Sequence, residues 1–356
     1  MNTSKIKVLI VDDSALMRTM LEDILSADPR ILVVGTARDG QDCLEKMERL
    51  SPDVITLDVE MPRKDGLETL EEIMRTRPLP VIMVSSLTQE GAQTTLKALA
   101  LGCIDFVGKP SGAISRNIRL VGEELIAKVV MASTARVRPP RRDGLPPVAL
   151  RPPMRSTSLV SGFRPRREIV AVAASTGGPV ALQQLLAALP GDFPAPIVVT
   201  QHMPKDFTAS FARRLDGTSA LKVVEGASGL RLKPGMAVIA PGGAHMLVRR
   251  KGTGVFCELS DAPPLLSVKP SANIMFLSVA DEFGGKVVGV VLTGMGRDGA
   301  DGALALHRKG AHIIAESQET CVIYGMPRAA VEAGGVDELL PLPDIPASLV
   351  REVFGK

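Results

Sequence analysis

The chain has no tryptophan, one tyrosine and an aromatic content of only 3% over 356 residues. Proteins that hold single-stranded nucleic acid stack bases on aromatic side chains, so this composition argues against a dedicated single-strand binder, and no nucleic-acid partner is expected. Cysteine is equally sparse. Cys43, Cys103, Cys257 and Cys321 are far apart and fit no zinc or redox spacing; they read as small buried hydrophobes in a reducing cytoplasm, the expected location. No apolar run approaches a membrane span, and the first one stops after a few residues at Asp12-Asp13, so neither a signal peptide nor membrane embedding is expected. Histidine is scarce too, with only four in the chain, which narrows the choice of any general base.

The length suggests two domains, each able to bury its own core, and a hydrophobic fraction of 45% is ordinary for globular protein. Composition changes sharply between Met131 and Arg167. Seven prolines there (Pro139, Pro140, Pro146, Pro147, Pro152, Pro153, Pro165) deny regular structure, and nine arginines face one acid, Asp143. That stretch carries +8 of an overall +3, which leaves the rest of the chain at −5. The basic character therefore belongs to a spacer. Such an arm suits nucleic acid or an anionic membrane surface on one reading and a solvated, semi-extended linker on the other, and the lack of aromatics other than Phe163 favours the linker. The expected division is 1–125, a linker over 126–167, and 168–356.

The front third alternates apolar runs, at Lys7–Val11, Ile31–Thr36, Asp53–Leu57, Val81–Ser85 and Asp105–Val107, with helical patterns at about Ser14–Leu25, Asp39–Leu50, Gly66–Arg75, Gly91–Leu101 and Ser115–Ala132. Runs apolar throughout are strands of a parallel sheet covered on both faces, giving five βα units, a flavodoxin-like (βα)5 fold. In such sheets ligands gather at the carboxyl ends of the strands. Asp12, Asp13 and Asp58 fall there, with Ser85 and Lys109. Clustered carboxylates repel, and a hard oxygen donor set favours Mg²⁺. With the cation present, Asp58 is placed to attack a phosphoryl group and Lys109 to offset its charge. Taken singly, each aspartate has a blander reading as a strand end or helix cap.

These residues resemble a known family. Val11-Asp12-Asp13-Ser14, Leu57-Asp58-Val59-Glu60-Met61-Pro62, Asp65-Gly66, Met83-Val84-Ser85-Ser86 and Val107-Gly108-Lys109-Pro110 are similar to the response-regulator receiver domain over about residues 4–125. The resemblance implies that Asp58 is the phosphoacceptor and that Asp13, Asp58 and the backbone carbonyl of Glu60 hold Mg²⁺, with Asp12 assisting. It further implies that Ser85 is the switch hydroxyl, that Phe106 stands at the switch aromatic position in place of the commoner Tyr, and that a sensor histidine kinase is the phosphodonor.

The second half again alternates. Ile169–Ala174, Ile197–Thr200, Val287–Leu292 and His312–Ala315 read as core strands, with helical patterns at about Val180–Leu189, Asp206–Leu215, Ser271–Phe283 and Ala300–Lys309. Gly and Pro turns suggest antiparallel hairpins at about Met236–Ser260. The expected fold is α/β, a doubly wound parallel sheet with an antiparallel extension. The residues after Val336 read as a short closing segment.

Three strand ends carry reactive types. Ser175 lies on a strand-to-helix turn, Ser175-Thr176-Gly177-Gly178-Pro179, where the amides of Thr176 and Gly177 are placed to face an oxyanion. His202 follows the next core strand, and Asp298 lies in the loop Thr293–Gly299. Serine, histidine and carboxylate at one sheet edge form the relay that activates a hydroxyl for acyl transfer. The order Ser, His, Asp and the absence of a Gly-x-Ser-x-Gly elbow set the chain apart from α/β-hydrolases. Each member alone has another reading: a helix cap or phosphate site for the turn, a core or surface histidine, an Asp-Gly turn. Of the other histidines, His245 sits among the hairpins, His307 in a helix and His312 at a strand start, all less apt as bases.

The same segments, with Ala240-Pro241-Gly242-Gly243-Ala244-His245-Met246 and Tyr324-Gly325-Met326-Pro327-Arg328, resemble the catalytic domain of the chemotaxis protein-glutamate methylesterases, the CheB family. That implies a triad of Ser175, His202 and Asp298 and a site lined by Thr176 and Met295. The implied activity is hydrolysis of γ-glutamyl methyl esters on methyl-accepting chemoreceptors to glutamate and methanol, with deamidation of receptor glutamines besides. No cofactor is implied for hydrolysis. Asn273 departs from the acidic residue usual there, which implies a difference in substrate preference if that helix start touches substrate. Two rival readings remain at this point, a DNA-binding regulator, for which no groove-reading element is seen, and a phosphate-binding module, which leaves His202 and Asp298 idle.

Overall fold

The computed structural model describes residues 4–86, 88–109, 115–137 and 165–355. Most of the arginine- and proline-rich linker, and Pro110, lie outside the described residues. The chain divides into two compact units, Met1–Pro147 and Val148–Lys356.

In the first unit β1 (Ile6–Val11), α1 (Ala15–Ser26), β2 (Ile31–Ala37), α2 (Gly40–Leu50), β3 (Val54–Asp58), α3 (Gly66–Thr76), β4 (Val81–Ser85), α4 (Gln89–Leu101), β5 (Asp105–Gly108) and α5 (Ser115–Ala132) alternate strictly. The sheet order is β2-β1-β3-β4-β5, parallel throughout. Strands β3 and β4 are buried along their whole length, which is why their sequences are unbroken apolar runs. Polar residues fix where the helices begin. Ser14, Asp39, Asp65 and Thr88 each accept an amide hydrogen from three residues on, and Asp65 with Glu68 completes a capping box. Helix α5 runs to Ala132, seven residues past the boundary that composition suggests at 125.

The second unit contains β6 (Ile169–Ala174), α6 (Gly178–Ala187), β7 (Ile197–Gln201), α7 (Lys205–Asp216), β8 (Lys222–Glu225), β9 (Met236–Ile239), β10 (His245–Lys251), β11 (Gly254–Ser260), α8 (Ala272–Phe283), β12 (Val287–Val291), α9 (Ala300–Arg308), β13 (His312–Glu316), α10 (Met326–Glu332), β14 (Glu338–Leu340) and α11 (Ile345–Phe354). Seven strands form a parallel sheet in the order β14-β13-β12-β6-β7-β9-β8. The sheet grows outward in both directions from β6, so the crevice beside β6 and β12 is its topological switch point. Helices α6 and α7 begin four residues after β6 and β7 end, and α9 nine residues after β12, all at the carboxyl edge.

The antiparallel extension is narrower than the sequence suggests. Among the strands of the described residues only β10 and β11 pair antiparallel, from His245 opposite Ser260 to Lys251 opposite Gly254. Strand β9 instead joins the parallel sheet between β7 and β8. The segment after Val336 is more than a closing tail, since it supplies edge strand β14 and helix α11. The core holds Phe193, Phe207, Phe211 and Phe276 fully buried. Each contributes about 1.5–3 kcal/mol by leaving water. All four cysteines are free and buried, and burial pushes the Cys43 and Cys257 thiols up to about 12.

Candidate functional sites

The first site lies at the carboxyl edge of the first sheet. Asp12 and Asp58 are 0% and 1% exposed, whereas Asp13 is exposed, and one carboxylate oxygen from each of the three lies within 4.8 Å of the others. The Lys109 ammonium sits 2.7 Å from Asp58 Oδ2 and 3.3 Å from Asp12 Oδ2. The remaining oxygens are partly used by backbone, since Ser14 N–H donates to Asp12 Oδ1 and Glu60 N–H to Asp58 Oδ1. Burial pushes the Asp58 carboxyl up to about 6, even though Lys109 pulls the other way. Beside the cluster opens a cleft of about 550 Å³ lined by Asp13, Val59, Glu60, Met61, Pro62, Asp65 and Thr94. Two buried carboxylates and a third facing solvent form an all-oxygen donor set suited to a small hard divalent cation, and Glu60 lines the cleft beside them.

Ser85 is 1% exposed and accepts a hydrogen bond from Thr95 Oγ1 at 3.0 Å. Phe106, on β5, is only 4% exposed, with the Lys128 ammonium 5.3 Å from its ring centre and 2.6 Å from its carbonyl oxygen. The aromatic is therefore turned inward in this state.

The second site is at the carboxyl edge of the second sheet. Ala174 pairs with Gln201 across β6 and β7, and His202 N–H donates to Ala174 O at 3.0 Å. This register brings the next residues, Ser175 and His202, to adjacent strand ends. Ser175 is half-buried and fixed through its backbone: its N–H donates to Thr293 O, and its carbonyl accepts from Gly178 N–H and from Gln201 Nε2. Gly177 holds a left-handed φ of +77°, and a Cβ there would stand 2.7 Å from Val322 Cβ. Only glycine suits that turn. Gly294 is equally confined, since a Cβ there would meet Ser175 Cβ at 2.7 Å. Thr293 locks the arrangement from beneath, donating its hydroxyl to Thr176 O at 3.0 Å while its amide donates to the buried Glu316 at 2.8 Å. Thr176 is buried, and Met295 is 36% exposed on the loop after β12.

His202 Nε2 lies 2.8 Å from Asp298 Oδ2, leaving Nδ1 as the ring's other functional atom. Asp298, 3% exposed, is gripped by the start of α8: Ser271 Oγ donates to Oδ1 at 2.7 Å, Ala272 N–H to Oδ2 at 2.6 Å and Asn273 N–H to Oδ1 at 3.1 Å. Burial works to raise this carboxyl. The His202 hydrogen bond, then those of Ser271 and Ala272, override it and hold the group below the ordinary carboxylate range. In return Asn273 Oδ1 accepts from Gly299 N–H at 3.0 Å and Gly302 N–H at 2.8 Å. The two helices thus cap each other. Asn273 is 3% exposed and its side-chain oxygen is committed to the start of α9, so this side chain serves the Asp298 loop. In the sequence Ser271 is only the first residue of a helical pattern. That its hydroxyl would hold a carboxylate 27 residues later was not legible there.

A sheet edge that gathers aspartates and a lysine, followed by a doubly wound sheet whose edge gathers serine, histidine and a buried carboxylate, defines a response regulator whose output domain is an α/β enzyme outside the α/β-hydrolase pattern. Residues 170–349 match the family model for CheB methylesterase, and residues 8–116 match the response regulator receiver domain. The chain belongs to the CheB methylesterase family. It is 50% identical to a Symbiobacterium thermophilum protein over 98% of this chain and 97% of that one, and 46% identical to one from Pyrococcus abyssi over 98% and 94%. Both relatives are named protein-glutamate methylesterase/protein-glutamine glutaminase. The crystal structure of the Thermotoga maritima CheB methylesterase catalytic domain matches with a TM-score of 0.52 at 42% identity, covering 52% of this chain and 99% of that one.

Proposed function

We propose that this chain is a phosphorylation-controlled hydrolase that demethylates γ-glutamyl methyl esters of chemoreceptors and deamidates receptor glutamines, using Ser175, His202 and Asp298 as its catalytic unit. The observation that supports the assignment is the His202–Asp298 pair at the strand end next to the one that carries Ser175. Ser175 Oγ attacks the γ-carbonyl carbon as His202 Nδ1 accepts the hydroxyl proton. Asp298 holds Nε2–H, which fixes the tautomer and steadies the imidazolium. The tetrahedral oxyanion lies against the amides of Thr176 and Gly177, with the Met295 loop at the rim of the site. When the intermediate collapses, the acyl C–O bond to methoxide breaks and His202 returns the proton, releasing methanol. Water, deprotonated by His202, then cleaves the acyl-serine to glutamate. With a glutamine substrate the leaving group is ammonia.

In the receiver, Asp12, Asp13, Asp58 and the carbonyl of Glu60 would hold Mg²⁺, which neutralises the carboxylates and the incoming phosphoryl oxygens. Asp58 is the proposed acceptor and Lys109 the counter-charge, with Ser85 and Phe106 as the switch pair and a sensor histidine kinase as donor. The segment 126–167 is proposed as the tether between receiver and hydrolase, and a cytoplasmic location follows from a receptor substrate. Among the described residues no helix is long and apolar enough to cross a membrane.

Release of methanol from methylated receptor membranes tests the assignment. Ser175→Ala should lower turnover on the order of 10⁴–10⁶-fold. Near-wild-type release by a folded Ser175→Ala protein would sink it.

A further inference from the structure

His245 is fully buried at the first position of β10, and its ring nitrogens are bonded to neither Ser175 nor His202. Its Nδ1 accepts from Ser271 N–H at 3.1 Å, and its Nε2 lies 3.1 Å from Pro263 O. An amide can only donate and a carbonyl can only accept. The ring is therefore neutral, with its proton on Nε2, and both nitrogens are occupied. It has no free atom with which to carry a proton, which removes it from the chemistry and leaves the question of why a polar ring is buried there.

The answer lies in what Ser271 does. It is the N-cap of α8, and its hydroxyl, with the next two amides, makes three of the four hydrogen bonds around Asp298. The N–H of an N-cap residue has no partner within its own helix. Left unpaired in a buried position it is costly, and the helix start moves to relieve it. We infer that His245 is a positioning residue for the catalytic carboxylate: by accepting from Ser271 N–H it fixes the start of α8, and through it the orientation of Asp298 toward His202. A flat ring with an acceptor and a donor at fixed separation can bridge the Pro263 carbonyl and the Ser271 amide, which a serine or an aliphatic side chain in its place cannot. The inference rests on the proposed role of Asp298.

The test uses the full chain and separates kcat from KM for methanol release. His245→Asn keeps an acceptor near the Nδ1 position, His245→Gln keeps a donor near Nε2 and loses that acceptor, and His245→Leu loses both. The expected result is a fall in kcat of about 10–100-fold for His245→Leu with KM within about twofold, since small misplacements at a reacting centre cost on that scale. His245→Asn should recover most of the loss and His245→Gln little of it. In an Asp298→Asn background, where the carboxylate is already gone, His245→Leu should change kcat by less than about twofold. A folded His245→Leu protein with wild-type kcat, or equal losses in both backgrounds, overturns the inference. If His245→Leu does not fold, the Asn and Gln variants decide, and equal kcat in the two overturns it. Full activity in Asp298→Asn alone sinks the triad assignment instead, so the two failures are distinguishable.

Discussion

The sharpest test of the receiver site is the stability that Asp58 withholds from the fold. Its carboxyl is 1% exposed and burial lifts it to about 6, from an ordinary value of 3.8, against the pull of Lys109. Unfolded, the group loses its proton near 3.8; folded, it keeps it until about 6. Between those values the folded state binds more protons, so stability falls as pH rises through that window and the full penalty is in place above it. Two pH units correspond to roughly 3 kcal/mol. In Mg²⁺-free buffer Asp58→Asn should therefore match the wild type near pH 4 and exceed it by about 2–3 kcal/mol at pH 7, on the order of 10 °C in the receiver transition. Adding Mg²⁺ at pH 7 should close most of that gap by stabilising only the wild type. Urea or thermal unfolding across pH 4–7, with and without Mg²⁺, measures all three quantities. An Asp58→Asn receiver no more stable than wild type at pH 7, or a gap that ignores pH and Mg²⁺, would refute the picture of a buried, strained carboxylate.

Control by the receiver predicts that a fragment beginning near Arg166 outpaces the unphosphorylated full chain. A small-molecule phosphodonor with Mg²⁺ should activate the full chain but not Asp58→Asn; a tenfold change needs only about 1.4 kcal/mol. If the fragment is no faster and the donor changes nothing, restraint by the receiver is wrong. Gly177→Ala should destabilise the catalytic domain by about 1–3 kcal/mol and lower kcat, because the new methyl meets Val322 at a left-handed backbone position. Unchanged melting temperature and kcat would show that the turn relaxes freely.

The buried strands were legible because a parallel strand covered on both faces must be apolar at every position, as in Ile169–Ala174. Edge strands lack that signature. Lys222–Glu225 and Glu338–Leu340 are short and half-exposed, and nothing in their sequences separates them from loops. Met236–Ile239 misleads for another reason: the Gly-Pro punctuation around it imitates hairpin turns, while its pairing with Ile197–Val199 is a long-range choice. Ser175, His202 and Asp298 were legible as strand ends. The support behind Asp298 was not, because it arises where the β10–β11 hairpin packs on α8, and Val248 N–H to Ser278 Oγ is part of that junction. No local pattern in Ser271 or His245 announces a partner that only tertiary packing supplies.

The helices that begin at the carboxyl edge carry a further consequence, for product release. Helix α6 starts just after Ser175 and α9 just after Asp298, while the amides at the start of α8 hold that carboxylate. The starts of α6, α8 and α9 thus share one sheet edge, and the amides of α8 are already spent on Asp298. In the proposed mechanism the dipole left at the start of α6 favours an anion by about 0.3–1 kcal/mol, and it favours the glutamate product as well as the oxyanion. An enzyme working that way holds its own product, so turnover at high substrate should be paced by escape of the carboxylate, and small carboxylates should compete with the ester.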